Sequence, residues 1–89
     1  MAVAKKVAYS GNVQGVGFRY TAQRLASGFA VTGFVRNLPD GDVELVAEGE
    51  PEEVAAFLAR VGHAMQRYIQ DTKVSEEPVR GYSDFGIRH

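Results

Sequence analysis

The sequence has no cysteine among its 89 residues. This absence excludes a disulfide framework, a thiolate metal site and a cysteine nucleophile. Long apolar runs are also missing, since the longest one, residues 54–59, has six residues where a membrane-spanning helix needs about 20. No apolar stretch of signal-peptide length follows Lys5 and Lys6. We therefore expect a cytoplasmic protein with no membrane partner.

Acidic side chains are absent before Asp40. Residues 1–39 carry a formal charge of +5, whereas residues 40–89 carry five bases and eleven acids, a formal −6. The unopposed cations of the first part are Lys5, Lys6, Arg19, Arg24 and Arg36. Because opposite charges attract, we expect any anionic ligand to meet the N-terminal part of the chain.

The length allows one domain, residues 1–89, and 45% hydrophobic with 24% charged residues is typical of a folded globule. Apolar periodicity and turn residues predict the following order. It is a strand over 5–11, a helix that begins near Phe18 and stops at Gly28 as its C′ residue, strands over 31–37 and 43–47, a helix from Pro51 to Gly62, and strands over 68–74 and 83–88. This order predicts an α+β plait, βαββαβ, with two helices on one face of a mostly antiparallel sheet of four to five strands.

A glycine-rich loop and Asn37 are expected to meet at one edge of this sheet. In a split β-α-β unit the first and second strands run parallel, so their C-terminal ends share an edge. The loop over residues 11–17 follows the first strand, and Asn37 ends the second. The loop also leads into the first helix, whose N-terminus presents free N–H groups and the positive end of the macrodipole. The geometry predicts a cradle for an anion.

Arg19 occupies the first turn of that helix, where a cation is unfavourable by a few tenths to about 1 kcal/mol. No acid nearby in the sequence offsets it. A phosphoryl group held between its guanidinium and the backbone N–H groups would explain the arginine, and a solvated helix arginine is the alternative. Asn37 by itself is most simply a turn-initiating residue before Leu38 and Pro39.

Other chemistries find little support. The loop lacks the Gly-Lys pair of a P-loop, and the third glycine of the dinucleotide fingerprint would fall at Tyr20. His63 and His89 are the only histidines and lack metal-ligand spacing. None of the serines lies in a nucleophile-elbow context. We therefore expect no metal and no cofactor.

Two stretches carry a resemblance to a known family. The first is Gly11-Asn12-Val13-Gln14-Gly15-Val16-Gly17-Phe18-Arg19. The second is Gly33-Phe34-Val35-Arg36-Asn37, followed at fixed spacing by Gly41, Val43 and Gly49. They resemble the two signatures of the acylphosphatase family, and the rest of the chain agrees with that family in length and helix placement.

The resemblance implies a ferredoxin-like fold and hydrolysis of small-molecule acyl phosphates to a carboxylate and inorganic phosphate. By position in the signatures, Arg19 would bind the phosphate and Asn37 would orient the attacking water. The residues implied for the backbone cradle are Gln14, Gly15, Val16, Gly17 and Phe18. Residues 62–66 replace the family's commoner proline-containing connection, which bears on substrate preference rather than on the reaction. A monomer is the default expectation.

Two other functions stay open at this point. One is a reader of single-stranded RNA on the same plait, which would stack bases on aromatic residues of the sheet. Gly33-Phe34 is only a fragment of such a signature, and the acidic part of the chain would repel a phosphate backbone, so we expect no nucleic-acid partner. The other is a catalytically silent anion-sensing or maturation domain that keeps the cradle.

Overall fold

A computed structural model describes residues Met1–His89 as five strands and two helices. The elements are β1 (Val3–Gly11), α1 (Phe18–Ala26), β2 (Val31–Asn37), β3 (Val43–Gly49), α2 (Pro51–Ala64), β4 (Ile69–Glu77) and β5 (Phe85–Arg88). The predicted α+β plait with the ferredoxin-like order is confirmed. Neither helix combines the length and the apolar character that crossing a bilayer requires.

The strands form one sheet in the order β4-β1-β3-β2-β5. Strand β3 is antiparallel to both β1 and β2, so these two run parallel on either side of it, as predicted. Strand β5 pairs parallel with β2. The C-terminal ends of β1, β2 and β5 therefore share one edge of the sheet, the edge that holds the glycine-rich loop.

Both helices cover one face of the sheet and build the core there. Side chains alternate between the two faces of a strand, and Val43, Leu45 and Ala47 of β3 are all fully buried on the helical side. Phe18 of α1 and Phe57 of α2 pack into the same cluster. Burying a side chain of the size of Val, Leu or Phe contributes about 1.5–3 kcal/mol, so this layer holds the helices on the sheet.

The predicted end of the first helix agrees with the structure, whereas that of the second is wrong by two residues. Helix α1 ends at Ala26 with Ser27 as its C-cap, so Gly28 takes the predicted C′ position, and its N–H bonds to the carbonyl of Leu25 at 3.0 Å in a tightened turn. Helix α2 continues past Gly62 to Ala64. The buried side chain of Met65 prolongs its apolar stripe, and this burial outweighs the penalty of about 1 kcal/mol for glycine in a helix.

The last two strands also differ from the predicted ranges. Strand β4 covers Ile69–Glu77 instead of 68–74, because its pairing with β1 continues as far as the Ala4–Glu77 partners. Strand β5 covers Phe85–Arg88 instead of 83–88.

A buried carboxylate fixes the connection between β4 and β5. Strands β4 and β5 are the two outermost strands of the sheet, so residues 78–84 cross from one side of the sheet to the other over the face that carries no helix. Glu48 is 5% exposed and accepts hydrogen bonds from the N–H groups of Arg80 at 2.6 Å, Gly81 at 2.8 Å and Tyr82 at 3.2 Å. Buried polar groups are stable when satisfied in this way. The crossover is thereby held down, and it brings β5 alongside β2.

Candidate active site

An open cavity of about 180 Å³ lies at the sheet edge where β1, β2 and β5 end. Its lining residues come from the loop after β1, the first turn of α1 and the ends of β2 and β5. They are Val13, Gly15, Gly17, Phe18, Arg19, Tyr20, Asn37, Ile87 and His89.

Two glycines with left-handed backbone conformations determine the path of the loop between β1 and α1. Gly15 and Gly17 both have φ near +77°, and Gly17 is the N-cap of α1. A β-carbon at either position would meet no heavy atom within 4 Å. The backbone conformation, rather than crowding, therefore requires glycine, because a left-handed conformation costs other residues about 1–2 kcal/mol.

The backbone N–H groups of residues 13–20 donate no hydrogen bond to any atom of the protein. The first helical bond of α1 runs from the N–H of Thr21 to the carbonyl oxygen of Gly17 at 2.9 Å. The free donors thus begin in the loop and continue through the first turn, where the helix dipole is positive. A run of free N–H donors at a helix N-terminus favours the binding of an anion.

Arg19 is the only arginine or lysine among the residues that line this cavity. Its Nη1 lies 3.4 Å from the carbonyl oxygen of Arg88 and 3.2 Å from Nδ1 of His89. No carboxylate forms an ion pair with it, and the first turn of α1 contains no acid. The guanidinium charge is therefore available to an anion in the cavity.

Asn37 faces the cavity from the end of β2. It is half-buried, and its last ladder partner is Val43 of β3. Its side-chain amide makes no hydrogen bond within the protein, although both its oxygen and its nitrogen can form them. The amide is therefore free to bind a ligand or a water molecule next to the run of N–H donors.

A sequence profile of the Acylphosphatase family matches residues 5–87. The chain belongs to the acylphosphatase family. Membership of this family supports a hydrolase that acts on acyl phosphates, and the two signatures identified in the sequence lie within the matched range.

Individual relatives agree over most of their length. The chain is 48% identical over 81 residues to an acylphosphatase of Methanospirillum hungatei, and the match covers 89% of each protein. A solved acylphosphatase structure from Bacillus subtilis superimposes with a TM-score of 0.88 at 32% identity, covering 100% of both chains. A second, from Coxiella burnetii, gives 0.87 at 35% identity and covers 98% of this chain and 93% of the other.

Most of the residues that the family signatures indicate meet at the cavity. Gly15, Gly17, Phe18, Arg19 and Asn37 line it. The other two do not: Gln14 directs its side chain to the β2–β3 hairpin, and Val16 packs against the core. None of residues 62–66 lines the cavity.

Four residues that line the cavity were not predicted from the sequence: Val13, Tyr20, Ile87 and His89. Ile87 belongs to β5 and His89 follows it, and their place depends on β5 lying parallel to β2. The predicted strand over 83–88 had no assigned partner. A parallel placement beside β2 would have brought its C-terminal end to the same edge as Asn37.

Some of the five cations of residues 1–39 form ion pairs with acids of residues 40–89. Lys5 pairs with Glu76 of β4, and Arg36 pairs with Glu44 of β3 at 2.8 Å. Two of the five cations of residues 1–39 are thus neutralised by acids from the later part of the chain. Arg19, at the cavity, forms no such pair.

Tyr9 is buried behind a residue that lines the cavity. Its ring packs against the ring of Phe18 at a centroid distance of 4.8 Å, and burial raises the pKa of its phenol well above the ordinary value. The phenol therefore stays protonated at neutral pH. Nowhere in the structure do three or more His, Asp or Glu side chains converge in the manner of metal ligands.

Proposed function

We propose that this chain hydrolyses acyl phosphates at the cavity by attack of water on the phosphoryl group. The observation that carries the proposal is that one cavity is lined by residues 13, 15 and 17–20, whose backbone N–H groups are free, by Arg19 with its unpaired guanidinium and by Asn37 with its free amide. Phosphoryl transfer depends mainly on positioning and on stabilising charge at the phosphoryl oxygens. These groups supply both requirements.

The phosphoryl group binds in the loop. Its oxygens accept hydrogen bonds from the backbone N–H groups and from the guanidinium of Arg19, a bidentate donor suited to phosphate. The donors are fixed before the substrate arrives, because the glycine-containing loop and the helix hold them. Preorganised donors of this kind stabilise the charge that develops in the transition state.

The amide of Asn37 orients the water molecule in line with the bond that breaks. The water oxygen forms a bond to phosphorus, while the bond between phosphorus and the acyl oxygen breaks and leaves its electron pair on the carboxylate. A neutral amide cannot act as a base. The proton of the water therefore passes to a phosphoryl oxygen of the substrate, and no covalent intermediate with the protein forms.

The leaving group needs no acid from the protein. Its conjugate acid has a pKa of about 4, so at neutral pH it departs as a stable carboxylate. Catalysis requires no metal ion or cofactor in this scheme, because the N–H groups and Arg19 provide the positive field. The acyl group contacts apolar residues of the cavity lining, which include Tyr20, 64% exposed, and the half-buried Ile87.

An RNA reader is disfavoured by the helix-free face of the sheet. Phe34 is only 7% exposed there. The ring of Tyr82 lies 5.8 Å from its centroid, and the guanidinium of Arg88 lies 3.9 Å from it. The crossover and β5 thus cover the aromatic ring on which a base would have to stack.

The test is hydrolysis of benzoyl phosphate in the presence of a metal chelator. We expect the wild type to release benzoate and phosphate, and Arg19→Ala and Asn37→Ala to be about 100-fold slower, which corresponds to about 2.7 kcal/mol of lost transition-state stabilisation. Variants that are folded and as fast as the wild type would remove the site assignment. Binding of inorganic phosphate by a wild type that does not hydrolyse the substrate would identify a silent anion-binding domain instead.

A further inference from the structure

The side chain of Gln14 joins the phosphate loop to the hairpin that follows Asn37. Its Nε2 donates to the carbonyl oxygen of Leu38 at 2.8 Å and to that of Asp42 at 2.9 Å. Both protons of the amide nitrogen are thus used, and the side chain is half-buried. A flexible surface glutamine would not be fixed in this way, since ordering such a side chain costs up to about 2 kcal/mol of entropy.

The two hydrogen bonds of Gln14 lie past the ends of the strands, where the sheet no longer connects the phosphate loop with the hairpin. The β1–β3 ladder ends at the Tyr9–Val43 partners, and the β2–β3 ladder ends at Asn37 and Val43. Past these ladder ends, no hydrogen bond other than those of Gln14 joins residues 12–17 to residues 37–42. Within the hairpin, the N–H of Leu38 donates a hydrogen bond to the carbonyl oxygen of Asp42 at 2.8 Å.

We infer that Gln14 is a positioning residue that sets the distance between the phosphate loop and the amide of Asn37. The inference rests on the proposed function, in which the loop holds the phosphoryl group and Asn37 holds the water. In-line attack requires both to be aligned, and a misplacement of about 1 Å can lower the rate about 100-fold. The side chain of Gln14 acts through Asn37, since both of its donors are used within the protein and Gln14 does not line the cavity.

The experiment uses Gln14→Met, which keeps the length and packing of the side chain but removes both donors. We expect kcat for benzoyl phosphate to fall at least tenfold, while the inhibition constant of inorganic phosphate stays within about twofold, because the loop donors remain. Gln23→Met is the matched control: Gln23 is exposed on α1, makes no hydrogen bond through its side chain, and should keep the wild-type kcat. Gln14→Glu places a carboxylate against two carbonyl oxygens and should reduce kcat at least as much.

A double-variant comparison separates this role from a general structural one. If Gln14 works through Asn37, adding Gln14→Met to Asn37→Ala should change kcat by less than about twofold. An equal loss in both backgrounds, or no loss in the wild-type background, would overturn the inference. The comparison of Asn37→Ala with the wild type tests the proposed function separately: if those two are equally fast, neither the function of Asn37 nor the inference for Gln14 stands.

Discussion

Nη1 of Arg19 lies 3.2 Å from Nδ1 of His89, so the first turn of α1 meets the residue that follows β5. A guanidinium can only donate hydrogen bonds, and Nδ1 is therefore the acceptor in this contact. Neither the imidazole ring nor the second contact, the carbonyl oxygen of Arg88 at 3.4 Å, carries a negative charge. Arg19 is thus oriented without being neutralised, which leaves its charge available to an anion in the cavity.

Replacing Arg19 should separate activity from stability. In Arg19→Ala, kcat/KM for benzoyl phosphate should fall about 100-fold, since a charge-assisted contact contributes about 1.5–3 kcal/mol. The free energy of unfolding should rise by a few tenths to about 1 kcal/mol, because a cation leaves the positive end of α1. Enzyme assays and urea denaturation check the two effects.

Arg24 offers the control on the same helix. It is exposed and lies in the last turn of α1, where a cation is favourable. Arg24→Ala should lower the free energy of unfolding by a few tenths of a kcal/mol, about the size of a surface dipole effect, and leave kcat/KM unchanged. An Arg19→Ala protein that is less stable and still active would contradict this account.

The loop conformation is tested at Gly15. With φ at +77° and open space around the site of a β-carbon, Gly15→Ala introduces backbone strain without a clash. We expect the free energy of unfolding to fall by about 1 kcal/mol and inorganic phosphate to inhibit more weakly, because the loop relaxes and its N–H groups turn away. Urea denaturation and inhibition kinetics measure the two changes.

Gly62→Ala is the matched control for that substitution. Gly62 also has open space around it, but it lies inside α2. There alanine should raise the free energy of unfolding by about 0.5–1 kcal/mol. A gain in stability at both glycines would show that the loop does not need the left-handed conformation.

Tyr9 should make the fold sensitive to alkali. Burial raises the pKa of its phenol well above the ordinary value of 10.0, so the folded state keeps the proton when the unfolded chain loses it. The free energy of unfolding is then unaffected below about pH 10 and falls above it by up to about 1.4 kcal/mol per pH unit.

The phenylalanine variant isolates this effect. Between about pH 8 and pH 11, the wild type should lose about 1 kcal/mol more stability than Tyr9→Phe in urea denaturation. Tyr20→Phe, at an exposed position, should follow the wild type. Parallel curves for the wild type and Tyr9→Phe would be evidence against ionisation of a buried phenol.

Turnover should depend little on pH in the neutral range. In the proposed scheme the proton passes to the substrate and no side chain acts as an acid or a base, so kcat should be nearly constant from about pH 5.5 to 8. Steady-state kinetics in a constant-ionic-strength buffer series measures this. A bell-shaped profile centred near about pH 6.5 would instead indicate a catalytic histidine.

The sequence was sufficient for the parts of the fold that depend on local pattern. Strand β3 was correctly predicted from the apolar alternation over residues 43–47, and helix α2 from the helical spacing of Val54, Phe57 and Val61. Both patterns arise because an element that buries one face repeats its apolar residues with the period of a strand or of a helix. The parallel relation of β1 and β2 followed from the connection between them. That relation was enough to bring the glycine-rich loop and Asn37 to one edge.

Long-range pairing was the part that local pattern could not supply. The exposed side chains of β4 carry no apolar alternation, and its extent follows from its ladder with β1. The place of β5, and with it Ile87 and His89, depends on the crossover that the carboxylate of Glu48 holds. The role of the Gln14 side chain also depends on tertiary contact, since its acceptors lie 24 and 28 residues away.

The most direct test of the central claim is hydrolysis of benzoyl phosphate in water enriched in ¹⁸O, followed by mass spectrometry of both products. If water attacks phosphorus in the cavity, one ¹⁸O atom enters each phosphate and none enters benzoate. A sample without protein measures the uncatalysed background. Enzyme-dependent ¹⁸O in benzoate would show attack at the acyl carbon and would contradict the account.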